Sequence, residues 1–131
     1  DTSDEILTER YDYVVDAIDM VSSKIHLTET CEKKGLKIIS SMGMGNKLDP
    51  TKIVVTDIHK TSTCPLAKVM RKELRDRGIK KLKVVYSTEQ PIELKKKVMN
   101  GRKVTPGSVS FVPSVGGLII ASVIVNELLG Q

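Results

Sequence analysis

The sequence predicts an α/β domain, a Rossmann-like three-layer sheet with flanking helices. Three observations predict it. Short β-branched, apolar runs recur at 11–18, 37–41, 52–57 and 81–87. Stretches with helical spacing alternate with them, and the first strand, helix and strand have the length of a right-handed parallel crossover. Aromatics are scarce, with one Phe, three Tyr and no Trp, so the core must be aliphatic, as it commonly is around parallel sheets.

Each element has its own justification. The run Tyr11 to Ile18 is largely apolar and reads as a central parallel strand that ends at Asp19. The following helix is expected to take Ser22 and Ser23 as caps and to turn Ile25, Leu27, Thr28 and Cys31 inward before Lys33-Lys34-Gly35 closes it. Lys37 to Ser41 is the next short strand, followed by a tight turn at Met42-Gly43-Met44-Gly45-Asn46.

Asp49-Pro50 marks a turn, after which Ile53, Val54 and Val55 lead to the expectation of a strand buried on both faces. Pro65 suits the first position of a helix whose Leu66, Val69, Met70 and Leu74 face inward, and Gly78 ends it. Lys81 to Ser87 is a further strand. The Lys-rich stretch 89–107, which holds Pro and Gly, reads as a mobile insertion. After Pro113-Ser114 the run Gly117 to Leu129 is expected to form a largely buried terminal helix.

Composition narrows the function classes. A chain of 131 residues fits a single domain, here 1–131, with no internal repeat. Two cysteines, Cys31 and Cys64, supply neither a disulfide framework nor the paired CxxC of a structural zinc site, so no zinc is expected and a reducing cytoplasm fits. No leader or apolar signal core is visible after Asp1. The longest apolar stretch, 118–129, falls short of the roughly 20 residues of a membrane span, so no membrane is expected as partner.

Net charge is +5, and 13 Lys and Arg against 4 acids lie between Pro65 and Lys103. Such a stripe attracts a polyanion through counterion release, or serves only as a solvated helix face. Lys68, Arg71, Lys72 and Arg75 lie on the side of the second helix opposite its apolar positions and are the candidate contacts to nucleic acid.

The chemistry points to Asp16-Ala17-Ile18-Asp19, where the first strand reaches its carboxyl end, the place at which open α/β sheets bind ligands. A carboxylate there suits the magnesium carried by a nucleotide. Capping of the next helix explains Asp19 equally well. Asp16, inside the strand end, reads as structural. Cys64, at a helix amino terminus, is either a nucleophile with a depressed pKa or a local structural residue, and Cys31 reads as core. His26 and His59 lack partners at metal-ligand spacing and carry no assigned role.

The segments YDYVVDAIDMVSSK and KIISSMGMGNKLDPTKIVVTDI resemble the MoeB, ThiF and HesA family of ubiquitin-activating-enzyme-like adenylating proteins. With GMGNKLDPTKIVVTDIHKTSTCPLAKVMRKELRDRGI, VVYSTEQP and PGSVSFVPSVGGL, the chain is most similar to the TcdA or CsdL branch. Members of that branch dehydrate tRNA threonylcarbamoyladenosine to its cyclic form. The resemblance implies the carboxyl-terminal half of a ThiF-type domain, a truncated form lacking the glycine-rich ATP-binding half and unable to bind ATP normally.

By that resemblance Asp19 is the magnesium-ATP aspartate, with a catalytic role, and Lys24 matches a basic position early in the next helix, where a plain surface charge is the alternative. The implied chemistry is attack of a substrate carboxylate on the α-phosphorus of ATP, loss of pyrophosphate, and capture of the acyl-adenylate by a nucleophile. The resemblance also implies homodimers. Missing zinc pairs and the basic stripe favour tRNA as the partner over a sulfur donor or a ubiquitin-like carrier protein. A carrier-protein adenylyltransferase and a non-catalytic α/β dimerisation module remain the alternatives.

Overall fold

The computed structural model describes residues 11–44, 47–90 and 111–130. Four strands, β1 (Val14–Asp16), β2 (Ile38–Ser41), β3 (Ile53–Asp57) and β4 (Lys83–Ser87), form one sheet in the order β1-β2-β4-β3. β1, β2 and β4 are parallel, and β3 pairs antiparallel with β4. Helices α1 (Val21–Lys34) and α2 (Pro65–Asp76) cover one face, and α3 (Phe111–Leu128) lies against the other. The three-layer α/β reading is therefore correct.

The alternation along β4 builds the layers. Val84 and Tyr86 join Ile25, Ala67, Met70 and Leu74 beneath α1 and α2. Val85 points the other way, to Ile39, Ile53, Val112 and Ile120 beneath α3. Four of the five β4 residues are buried, as a strand with neighbours on both edges and helices on both faces requires.

Several boundaries differ from expectation for local reasons. β1 stops at Asp16, because the Asp16 carboxylate accepts the Ile18 N–H at 2.9 Å and turns the chain. Asp19 therefore lies in the following loop. Among the described residues β1 is an edge strand, and its Val15 is exposed. β3 is the opposite edge, with Val54 and Val55 exposed, so a β-branched run here marks a half-buried surface and not burial on both faces.

Helix α1 is capped at Met20 without a side-chain bond, and Ser22 and Ser23 lie inside its first turn. Its end matches expectation: Gly35 adopts φ 67°, and the Leu36 N–H reaches the Cys31 carbonyl at 2.9 Å. On α2 the buried stripe is Ala67, Met70 and Leu74, and Val69 is exposed. Met70 and Leu74 are buried as expected and Leu66 packs against them, while Ala67 takes the inward place expected of Val69, its small side chain letting the helix approach the sheet. Stretch 91–107 lies outside the described residues, but Glu89 is anchored, its carboxylate accepting the Leu48 and Asp49 N–H groups.

Helix α3 departs most. Among the described residues it runs over Phe111–Leu128, so it includes Pro113, and it buries only Val112, Gly116 and Ile120, one residue per turn. Leu118 is 70% exposed and Leu129 66%. The helix is apolar all round, so facing one layer leaves most of it uncovered among the described residues. Its 18 residues have a mean hydropathy of 1.8, enough by length and composition to cross a membrane, which overturns the length argument made from the sequence. In this fold it lies on the sheet, and Tyr13 and Lys83 both donate to its Glu127.

Candidate active site

The parallel register sets Asp16 beside Ser40, and Ser40 beside Val84, on the face covered by α1. Lys24, one turn into α1, points down onto that pair. Asp16, Ser40 and Lys24 are all essentially inaccessible to solvent. Ser40 Oγ donates to Asp16 Oδ2 at 2.6 Å. The Lys24 ammonium donates to Asp16 Oδ2 at 3.2 Å, to Ser40 Oγ at 3.3 Å and to the Ser41 carbonyl at 2.7 Å. Lys24 is thus not a surface charge. Burial pulls its pKa below the ordinary lysine value, opposed by the Asp16 carboxylate beside it.

The cluster lies at the carboxyl ends of the parallel strands, the end at which α/β sheets receive ligands. Asp19 extends from the loop directly above, is exposed, and its carboxylate is within electrostatic reach of Lys24. A second buried lysine, Lys47, donates to the Ser87 carbonyl at 3.4 Å at the end of β4. Sequence reading gave Ser40 and Lys47 no role. Ser40 had a faint signal, a polar residue closing an apolar run, and Lys47, in the loop between two strands, had none.

Cys64 lies near Lys24. It caps α2 without a side-chain bond, and its thiol is buried with Ile25 and Ala67. Cys31 is fully buried, and burial with the nearby Asp16 charge pushes its pKa up, as an inert core thiol requires. His59 Nε2 lies 3.3 Å from the Ile79 carbonyl.

The four basic residues of α2 are not equivalent. Lys68, Lys72 and Arg75 are exposed, with Lys72 in an open ion pair to Asp76 at 3.6 Å. Arg71 is partly buried and donates to the Thr61 carbonyl at 3.0 Å, bracing the loop that leads into the helix.

Magnesium can be tested against the donors present. Among the described residues no three His, Cys, Asp or Glu side chains gather into a metal-binding group. A lone exposed carboxylate fits a hard cation that arrives with its own phosphate ligands, and Asp19 is such a group.

The chain and its fold are similar to those of known proteins. The chain is 44% identical to the tRNA threonylcarbamoyladenosine dehydratase of Bacillus subtilis, over 98% of this chain and 55% of that protein. It is 44% identical to tRNA threonylcarbamoyladenosine dehydratase 2 of Saccharomyces cerevisiae, over 67% of this chain and 20% of that one. The Escherichia coli dehydratase TcdA in complex with ATP superposes with a TM-score of 0.85 at 28% identity, covering 98% of this chain and 52% of that one. The chain thus spans about half the length of the Bacillus relative. The ThiF family profile matches residues 1–131, and the chain belongs to the ThiF family.

Proposed function

We propose that this chain is the carboxyl-terminal part of an ATP-dependent tRNA threonylcarbamoyladenosine dehydratase. The observation that carries the reading is Asp19, exposed above the buried Asp16–Lys24–Ser40 cluster at the carboxyl ends of β1 and β2. It is supported by the similarity to dehydratases along nearly the whole chain and to an ATP complex of one of them.

In the complete protein the threonyl carboxylate of the modified base attacks the α-phosphorus of ATP, and pyrophosphate leaves. The acyl carbon is then attacked from within the same modified base, closing the ring and expelling AMP. Asp19 is the residue that would hold magnesium, which when bound offsets charge on the phosphates. The nucleophile is internal to the substrate, so Cys64 serves packing, and Cys64→Ala is expected to retain turnover. Lys68, Lys72 and Arg75 face the tRNA backbone, with Arg71 holding the Thr61 loop behind them.

The same reading includes a homodimer, supported by the uncovered apolar side of α3, a cytoplasmic location, supported by the similarity to tRNA-modifying enzymes, and no membrane insertion, supported by the contact of α3 with the sheet. Digestion of tRNA from cells lacking the gene tests the function. Loss of cyclic threonylcarbamoyladenosine, restored by the complete gene but not by its Asp19→Asn variant, is expected. Unchanged cyclic base would end the assignment, and carrier-dependent ATP–pyrophosphate exchange would replace it with sulfur-carrier activation.

A further inference from the structure

A lysine at a nucleotide site either grips phosphate or holds protein. The geometry points to the second for Lys24: with Asp16 and Ser40 it is a positioning residue that fixes the loop bearing Asp19, and its ammonium does not touch the nucleotide. This rests on the role proposed for Asp19 above.

The donor count carries the inference. An ammonium has three N–H donors. All three have protein acceptors, at Asp16 Oδ2, Ser40 Oγ and the Ser41 carbonyl, so none is left for a phosphate oxygen. The side chain is 1% exposed, which leaves no approach for a ligand of that size. Asp16 is committed in the same way, with Oδ1 accepting from the Ile18 N–H and Oδ2 from Ser40 and Lys24.

The bonds form one path from the end of β2 to the loop above. Ser41 and Ser40 hold Lys24, Lys24 holds Asp16, and Asp16 holds the backbone of Ile18, the residue before Asp19. An exposed carboxylate on a free loop samples many positions, and misplacement by about 1 Å is enough to slow a reaction on the order of a hundredfold. Lys24 therefore acts on turnover through the aim of Asp19.

The test uses the complete gene product and its Asp16→Asn/Lys24→Met variant, which exchanges both buried charges for neutral groups of similar volume and so preserves the fold. Amide exchange of Ile18 to Met20 is measured together with magnesium-ATP affinity and single-turnover rate. The expected result is at least about tenfold faster exchange in the loop, with the middle of α1 still protected. The turnover rate falls about tenfold or more while ATP affinity stays within about threefold. Lys24→Arg, which keeps a long cation in place, recovers part of the rate.

Unchanged loop exchange overturns the proposal, as does a larger loss of ATP affinity without a change in loop exchange, the signature of a phosphate ligand. If the double variant fails to fold, Ser40→Ala decides on the same exchange measurement. If the unmodified protein binds no ATP and cyclises no tRNA, the functional reading falls, and loop exchange still tells whether Lys24 holds the loop.

Discussion

The two faces of the sheet are built by the same four strands and hold their helices differently. Beneath α1 and α2 the apolar cluster is continuous, from Ile25 and Met42 through Met70 and Leu74 to Val84, with a fully bonded charged cluster at its rim. Beneath α3 the buried set is smaller, and the outer side of the helix is uncovered among the described residues. Polar bonds from Tyr13 and Lys83 to Glu127 tie its far end to the sheet. The face that aims the candidate site is over-determined, and the face that carries α3 is held by a narrow stripe and a polar clasp.

Breaking the rim of the first face has the largest expected effect. Lys24→Met leaves the Asp16 carboxylate buried without its cation, a loss of about 3–5 kcal/mol of stability by urea denaturation. Adding Asp16→Asn recovers most of it. A single variant no less stable than the wild type would show that the pair is not needed for folding.

The apolar layers differ next. Leu74→Ala, in the fully packed cluster under α2, is expected to cost about 2–5 kcal/mol, with Ile120→Ala under α3 toward the lower end of the same range. The physical reason is cavity collapse. An uncovered helix can settle into the space it loses, and one wedged between a sheet and a second helix cannot. Equal losses would remove the contrast between the faces.

The clasp has a smaller effect with a defined pH dependence. Bonds from Lys83 and Tyr13 hold the Glu127 carboxyl below its ordinary pKa, so its contribution is present above the ordinary carboxylate range and is lost as pH falls through the lowered folded value. Burial and Glu127 push the Tyr13 phenol above its ordinary 10.0, so its contribution is present below that pH and is lost on rising toward the raised folded value. Glu127→Gln is expected to cost no more than about 1 kcal/mol, because both ionic partners are partly exposed. Urea titrations across pH should flatten at both ends in this variant.

Leu118→Ser is expected to have the smallest effect, within about 0.5 kcal/mol in either direction, because the side chain is 70% exposed. A loss of 2 kcal/mol or more, on the order of a buried leucine, would mean that another layer covers the outer side of α3.

Much of the fold was legible in local pattern. Each of the four apolar runs contains a strand, the first a shorter one than expected, and the Gly35 and Gly78 stops and Pro65 at a helix start fall where the structure has them, since strand propensity, positive φ and a missing N–H are properties of single residues and their neighbours. That Asp19 lies beyond the carboxyl end of the first strand was also legible, although the strand stops at Asp16 and not at Asp19. Lys24 was not: a lysine after two serines has no mark that separates a solvated charge from a buried one.

The sequence by itself determined the α/β class, the order of elements and the chain's membership of the ThiF family, because propensity, spacing and similarity along the chain are one-dimensional quantities. Only the tertiary structure decided that β3 is an antiparallel edge, that α3 is half uncovered, and that Asp16, Lys24 and Ser40 meet. Those facts depend on register and on which face each helix covers. Residues 24 positions apart become neighbours only when two strands pair.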